Sequence, residues 1–207
     1  MPTLLKVVQL DIKQFLARLS SDTPTPGGGS ASAFAGALSA SLISMVAGLS
    51  LKKSELTEKE AKEIRRKSLM IQKQLFMAVD RDAASYEGVL KAFRLPKNTE
   101  KDRTYRSRKI QKAYQKATTV PQLVCELSIR LLKYSEILIL KGNPNAFSDA
   151  GVAAFLADAA LSGGLINIKI NLGPLKDKIF TRRMNSLNGQ YAKKRDHFMR
   201  RILKALK

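Results

Sequence analysis

Apolar residues recur at helical spacing along most of the chain, and polar clusters rich in Gly, Pro, Asn and Ser separate the runs. Ile12, Phe15, Leu16 and Leu19 mark a short amphipathic helix between Leu10 and Leu19, with Asp11 near its start. Pro24-Thr25-Pro26-Gly27-Gly28-Gly29-Ser30 then leads into an uncharged stretch, Ala31 to Leu51. As a helix this stretch is about 31 Å long, with the Ser30 hydroxyl as its expected N-cap and Lys52 and Lys53 as charges suited to its C-terminal dipole. Thr57-Glu58-Lys59-Glu60 is a capping box, with Thr at the cap and Glu three residues on. It opens a long helix expected to reach about Phe93, with an apolar stripe of Leu75, Val79, Tyr86, Val89 and Phe93. Asp82 falls on that stripe and Asp80 off it.

Pro96 to Thr104 reads as a polar loop and Tyr105 to Thr118 as a basic helix. Thr119-Val120-Pro121 is expected to restart or kink the chain, because proline fits the first turn of a helix. Leu123, Leu127, Leu131, Leu132, Ile137 and Leu138 pattern the next helix, with Cys125 as a small core residue and Gly142 as the stop. A second polar cluster, Asn143 to Asp149, enters a helix of small residues from Ala150 to Leu161, with Ser148 or Asp149 as its N-cap. Ile166, Ile168, Ile170 and Leu172 alternate as a strand would. Helix is the preferred reading there, since no partner strand exists elsewhere. Gly173-Pro174 ends the element, and a basic helix follows from about Asp177 to Leu206.

The expectation is therefore an all-α fold: a bundle of about six helices, two of them rich in small residues and packed centrally. A chain of 207 residues is long enough for one full core, so a single domain over 1–207 is expected. The uncharged stretch from Ala31 is long enough to cross a membrane. Its serines, alanines and glycines gain little from lipid and more from close helix contacts, so it is expected in the core and not in a bilayer. One cysteine excludes an internal disulfide framework and fits a reducing compartment. The N-terminus carries no signal-peptide pattern, and the expected location is the cytoplasm.

Charge changes the picture at the surface. The net charge is +20, and much of it lies between Lys91 and Lys116 and between Lys176 and Lys207. Such stretches are either solvated helix faces or attractors of a polyanion. His197, the only histidine, has no acid or second histidine at ligand spacing, so it is expected at the surface; no metal site is expected. Three glycines before a helix can form a turn, or a backbone cradle for an anion or a polar ring edge. No Lys-Ser/Thr follows them, which excludes a phosphate-binding P-loop. A carboxylate on a core stripe, as at Asp82, is costly unless it is paired or functional.

Pro26-Gly27-Gly28-Gly29-Ser30 leading into an Ala/Gly helix, together with Gly142-Asn143-x-Asn145-Ala146-x-Ser148-Asp149-x-Gly151-Val152-Ala153-Ala154 and Asn167-x-x-x-Asn171-Leu172, resembles the formiminotransferase–cyclodeaminase C-terminal domain family. That family includes formiminotetrahydrofolate cyclodeaminase and methenyltetrahydrofolate cyclohydrolase. Asp82-Ala83-Ala84-x-Tyr86 and Val120-Pro121 are similar to its pattern as well, so the resemblance spans about Asp11 to Leu203. It implies a homodimer with a folate site near the subunit interface. The chemistry it implies is at the carbon between N5 and N10 of tetrahydrofolate, with the folate as substrate and neither prosthetic group nor metal.

On that resemblance Asp149 is the first candidate for the catalytic carboxylate and Asp82 the second. Asn143, Asn145, Ser148, Asn167 and Asn171 are candidates for the pterin edge, with Gly27, Gly28, Gly29 and Ser30 allowing backbone approach. The basic surface suits the glutamate tail of the folate, more so a polyglutamate. Two features depart from the family pattern: the high charge, and the bulk of Phe34 and Phe147 beside the motifs. The alternative function is a non-catalytic basic protein on the same fold that binds nucleic acid or another polyanion; sparse aromatics in the basic stretches disfavour a single-strand stacking platform.

Overall fold

The computed structural model describes residues 7–207. Residues 1–6, the start of the expected single domain and of the segment read for a leader, lie outside the described residues. The described chain is all-α, with no strand among the described residues. Six α-helices follow a short 3-10 turn at Val7–Gln9: α1 Ile12–Leu19, α2 Gly28–Leu49, α3 Glu58–Phe93, α4 Glu100–Lys141, α5 Phe147–Leu172 and α6 Lys178–Ala205.

The two small-residue helices form the centre. α2 and α5 run antiparallel, with Ser39 Oγ donating to the Ala153 carbonyl at 2.7 Å and Gly36 facing Ala160. Ala33, Ala37, Ala40, Ala153, Ala157 and Ala160 are buried between neighbouring helices, so backbones approach closely. A β-carbon at Gly163 would overlap the Ser32 hydroxyl as it is placed, so glycine lets the two helices meet closely at that crossing. α3 packs against α2, α4 against α5, and α6 lies over α4 and α5. Phe34 contributes to this packing: its ring meets the buried Phe15 ring at 5.0 Å and holds α1 on α2.

Capping explains most helix starts. Asp11, Thr57 and Thr99 each form a reciprocal capping box, with Gln14, Glu60 and Asp102 respectively. Asp177 accepts from the N–H groups of Ile179 and Phe180. The Thr99 box corrects one expectation: the loop after Pro96 is short, and α4 begins at Glu100, not Tyr105.

Four further expectations are corrected. Pro121 neither restarts nor visibly interrupts α4, which is continuous across it. The N–H that Pro121 lacks would have bonded the Ala117 carbonyl four residues back; Asn171 Nδ2 supplies that bond at 3.2 Å instead. Ser30 is not the N-cap of α2. The helix starts three residues earlier than expected, with Gly27 at the cap, and Ser30 is fully buried inside it. Lys52 and Lys53 lie beyond the helix end at Leu49. Ser148 and Asp149 do not cap α5 either; they sit in its first turn, behind Ala146 and a 3-10 turn at Pro144–Ala146. The Ile166–Leu172 run is helical, as preferred.

α2 and residues 144–172 are each long and apolar enough to cross a membrane, and about half of each is buried in the bundle. Their remaining surface is a stripe on each helix. Leu38, Met45 and Leu49 of α2, and Val152, Phe155, Ile166 and Ile170 of α5, are exposed. At 100° per residue each set falls on one narrow side of its helix.

Candidate functional site

The glycine run and Asp82 meet at the N-terminal end of α2. Gly29 lies against the Asp82 side chain so closely that a β-carbon at residue 29 would overlap its carboxylate. Ser30 Oγ stands 3.0 Å from Asp82 Oδ2 and 3.1 Å from the Val79 carbonyl oxygen. The Ser30 backbone N–H also points to the carboxylate. The start of a helix leaves N–H groups without intrahelical partners and carries a positive dipole end, so a carboxylate is well placed there.

The Asp82 pKa is raised. Burial is the larger cause, and the hydrogen bonds from the Ser30 side chain and backbone pull the other way. The ionised form is therefore held by two donors but short of solvent. Burial and these donors act in opposite directions on one carboxylate, which marks it as a candidate for proton transfer.

A cleft of about 730 Å³ lies between α3 and α4; Arg81, next to Asp82 in sequence, is on its wall, but Asp82 itself does not line it. Its walls carry Arg81 and Lys91 from α3, and Lys109, Lys112 and Lys116 from α4. Ala84, Gly88, Ala92, Ala113 and Val120 form an apolar floor, and Tyr105 stands at one side. No acidic residue lines it. Reading the sequence recognised the basic stretch but not the cleft. The spacing of Tyr105, Lys109, Lys112 and Lys116 on one helical face was the signal available; Arg81 gave none.

The other candidates divide between the two ends of α2, about 33 Å apart by helix length. Asn167 and Asn171 fall near the Asp82 end. Asn171 serves Ala117, and Asn167 Nδ2 donates to the Gly163 carbonyl of its own helix at 2.8 Å. Asn143, Asn145, Ser148 and Asp149 lie at the opposite end, beside the C-terminus of α2. There Asn143 Nδ2 donates to the Leu49 carbonyl, its backbone N–H donates to Ser50 Oγ, and its Oδ1 accepts from the Asn145 N–H. Ser148 is exposed and Asp149 half-buried; neither side chain makes a hydrogen bond or ion pair among the described residues. Within one chain these two groups do not form one pocket.

The remaining reactive side chains have structural partners. Asp158, isolated in an apolar run, is held by Arg195 in a bidentate pair at 2.6 and 3.1 Å. Cys125 is fully buried, its thiol pushed up to about 12 by burial. His197 is exposed. No cluster of metal-ligating side chains occurs among the described residues.

The model of the formiminotransferase-cyclodeaminase family matches residues 11–187. A methenyltetrahydrofolate cyclohydrolase of Methylorubrum extorquens is 39% identical over 184 residues, 87% of this chain and 88% of that protein. A formimidoyltransferase-cyclodeaminase of Mus musculus is 28% identical over 176 residues, and the chain spans only 32% of its length. Among solved structures, a formiminotetrahydrofolate cyclodeaminase of Thermotoga maritima superposes with a TM-score of 0.87 at 28% identity, covering 97% of both chains.

Proposed function

The chain belongs to the formiminotransferase-cyclodeaminase family, and from that premise we propose that it is a folate enzyme acting on the carbon between N5 and N10 of tetrahydrofolate. The reading we favour is 5,10-methenyltetrahydrofolate cyclohydrolase, because the relative bearing that name is 39% identical to this chain, against 28% for the cyclodeaminase of known structure. The observation that carries the reading is the Asp82 carboxylate, partly buried and seated on Gly29 and Ser30 at a helix N-terminus.

In this reading Asp82 faces the cationic methenyl carbon, stabilises it, and takes a proton from the attacking water. Oxygen bonds to that carbon, the bond from carbon to N5 breaks, and N5 receives a proton, which leaves the 10-formyl product and one proton released. No electrons are transferred, so the folate serves as substrate and no prosthetic group is required. The five cations of the cleft between α3 and α4 suit the carboxylates of a glutamate or polyglutamate tail. Work on folates in a reducing cytoplasm also suits a chain whose one cysteine is a buried free thiol.

The reading includes a homodimer. The exposed apolar stripes of α2 and α5 offer a face for a second copy. If the two-fold axis lies across these helices, α2 of one subunit runs antiparallel to its mate. The Asp82 end of one subunit then meets Asp149 of the partner subunit, so both motifs contribute to each site.

Cyclodeamination is the second reading, favoured by the close match in fold to the Thermotoga maritima structure. There N10 attacks the formimino carbon, a base takes the N10 proton, and ammonia leaves after protonation. Turnover separates the two. Accelerated loss of the methenyl chromophore from 5,10-methenyltetrahydrofolate supports the cyclohydrolase; its appearance from 5-formiminotetrahydrofolate, with ammonia, supports the cyclodeaminase. Folded protein that leaves both substrates at their buffer rates overturns the enzyme reading.

A further inference from the structure

The outer face of α6 carries a one-sided charge. Lys178, Arg182, Lys193, Arg200 and Lys204 are all exposed and fall within one narrow sector of the helix at 100° per residue. They span about 39 Å along a single straight element. None of the five has an ion-pair partner among the described residues, whereas Arg195 and Arg201, toward the core side, pair with Asp158 and Glu136. The one acid in the sector, Asp196, is engaged by Arg195 at 3.3 Å. α3 shows the ordinary arrangement: there Glu58 pairs with Lys62, and Glu63 with Arg66 and Lys67.

Like charges one turn apart, as at Lys178 and Arg182 or Arg200 and Lys204, repel and weaken a helix. A polyanion laid along the face relieves that repulsion. The chemistry of the face selects among polyanions. Ser186, Gly189 and Gln190 lie between the cations and keep the surface low and polar. The aromatic side chains of α6 do not serve as stacking platforms, since Tyr191 is buried and Phe180 and Phe198 pack on the core; stacking is what grips single strands. Only Ile179 and Leu203 are exposed large apolar residues on α6, too little for insertion between lipid chains.

We propose that the outer face of α6 binds double-stranded nucleic acid through its phosphate backbone, without reading bases. This is a function separate from the folate site and does not rest on it. Five phosphate contacts predict a slope of log K against log salt of about −4.5, a loss of several hundred-fold in affinity between 50 and 200 mM salt.

The test is fluorescence anisotropy of the full chain with labelled 24-base-pair DNA and RNA duplexes of mixed sequence across that salt range. The expected result is duplex binding with a steep slope, which falls to about −1 in the quadruple variant Arg182→Glu, Lys193→Glu, Arg200→Glu, Lys204→Glu. If circular dichroism shows the reversal variant unfolded, the corresponding quadruple Ala variant takes its place. A Lys109→Glu, Lys112→Glu, Lys116→Glu variant is expected to retain duplex binding. The proposal is overturned by any of four results: no duplex binding at 50 mM salt, equal binding by the α6 variant, loss with the cleft variant instead, or preference for a single strand or for vesicles rich in anionic lipid.

Discussion

Gly29 and Asp82 occupy space that no larger pair could share: the carboxylate of Asp82 lies where a β-carbon of residue 29 would be. The third glycine of the motif is therefore a contact and not a hinge. Gly28, its neighbour, faces open space. The helix begins at Gly28, and its free N–H end and the Ser30 hydroxyl converge on one carboxylate.

Gly29→Ala is accordingly expected to separate activity from stability. The obstructing atoms belong to the end of a movable side chain, so Asp82 can rotate away while the backbone stays. Alanine also favours the helix over glycine by up to about 1 kcal/mol. The melting temperature should hold or rise, while turnover on the methenyl substrate falls about 10²-fold or more as the carboxylate leaves its donors. Turnover near the unchanged rate would show that the carboxylate position does not matter to the chemistry.

Asp82 also makes a signed prediction in pH. Its folded pKa is raised, chiefly by burial, so the folded state prefers the neutral carboxyl and loses stability as pH rises through that pKa. Asp82→Asn, which is never charged, should melt at or above the wild-type temperature at pH 7 to 8, with the difference closing in acid. Activity should drop with the same change by roughly 10²- to 10⁴-fold. Ser30→Ala removes a donor that lowers the Asp82 pKa, so the acid limb of its pH–rate profile should move to higher pH. Melting curves and pH–rate profiles decide it: an Asp82→Asn protein less stable at pH 8 than at pH 5, relative to wild type, contradicts the assignment.

Much of this architecture was legible before any coordinates. Capping boxes at Thr57 and the long apolar stripes identify helices by local chemistry alone, and the Ala/Gly content of two segments marks them as central. The placement of Asp82 on a core stripe was legible too. Its partner was not, because Ser30 and Asp82 lie 52 residues apart and meet only through packing. Ser30 was expected to cap α2 because Ser after glycines favours a cap locally; tertiary contacts start the helix earlier and bury the hydroxyl. The separation of the Asp149 cluster from Asp82 follows from the antiparallel pairing of α2 and α5, which no local pattern encodes.

Pro121 shows the same limit and gives a structural prediction. A proline within a helix leaves a carbonyl unpaired, and here Asn171 closes that gap on Ala117. Asn171→Ala should cost about 1–2 kcal/mol by leaving a shielded acceptor bare. In a Pro121→Ala background the restored backbone N–H fills the acceptor, and the same Asn171→Ala change should cost clearly less. Chemical denaturation of the four proteins measures the coupling. Additive costs would mean that Asn171 does not serve the Ala117 carbonyl and would return it to the list of folate ligands.

The proposed sharing of a site between subunits has its own decisive experiment. Asp82 and Asp149 lie at opposite ends of α2, so in a dimer with its axis across the helices each site takes one of them from each subunit. Asp82→Asn and Asp149→Asn proteins should each be nearly inactive as homodimers. On mixing and random exchange, half of the dimers are mixed. Each mixed dimer then holds one site with both carboxylates and one with neither, so about a quarter of wild-type activity should return. The recovered fraction should scale with the proportion of mixed dimers measured by native mass spectrometry of differently tagged subunits. If mixed dimers form and no activity returns, the two carboxylates do not serve a common site across the interface. If Asp149→Asn alone keeps full activity, the chemistry belongs to the Asp82 end of a single chain, and the cluster from Asn143 to Asp149 is a junction between α2 and α5 held by Asn143.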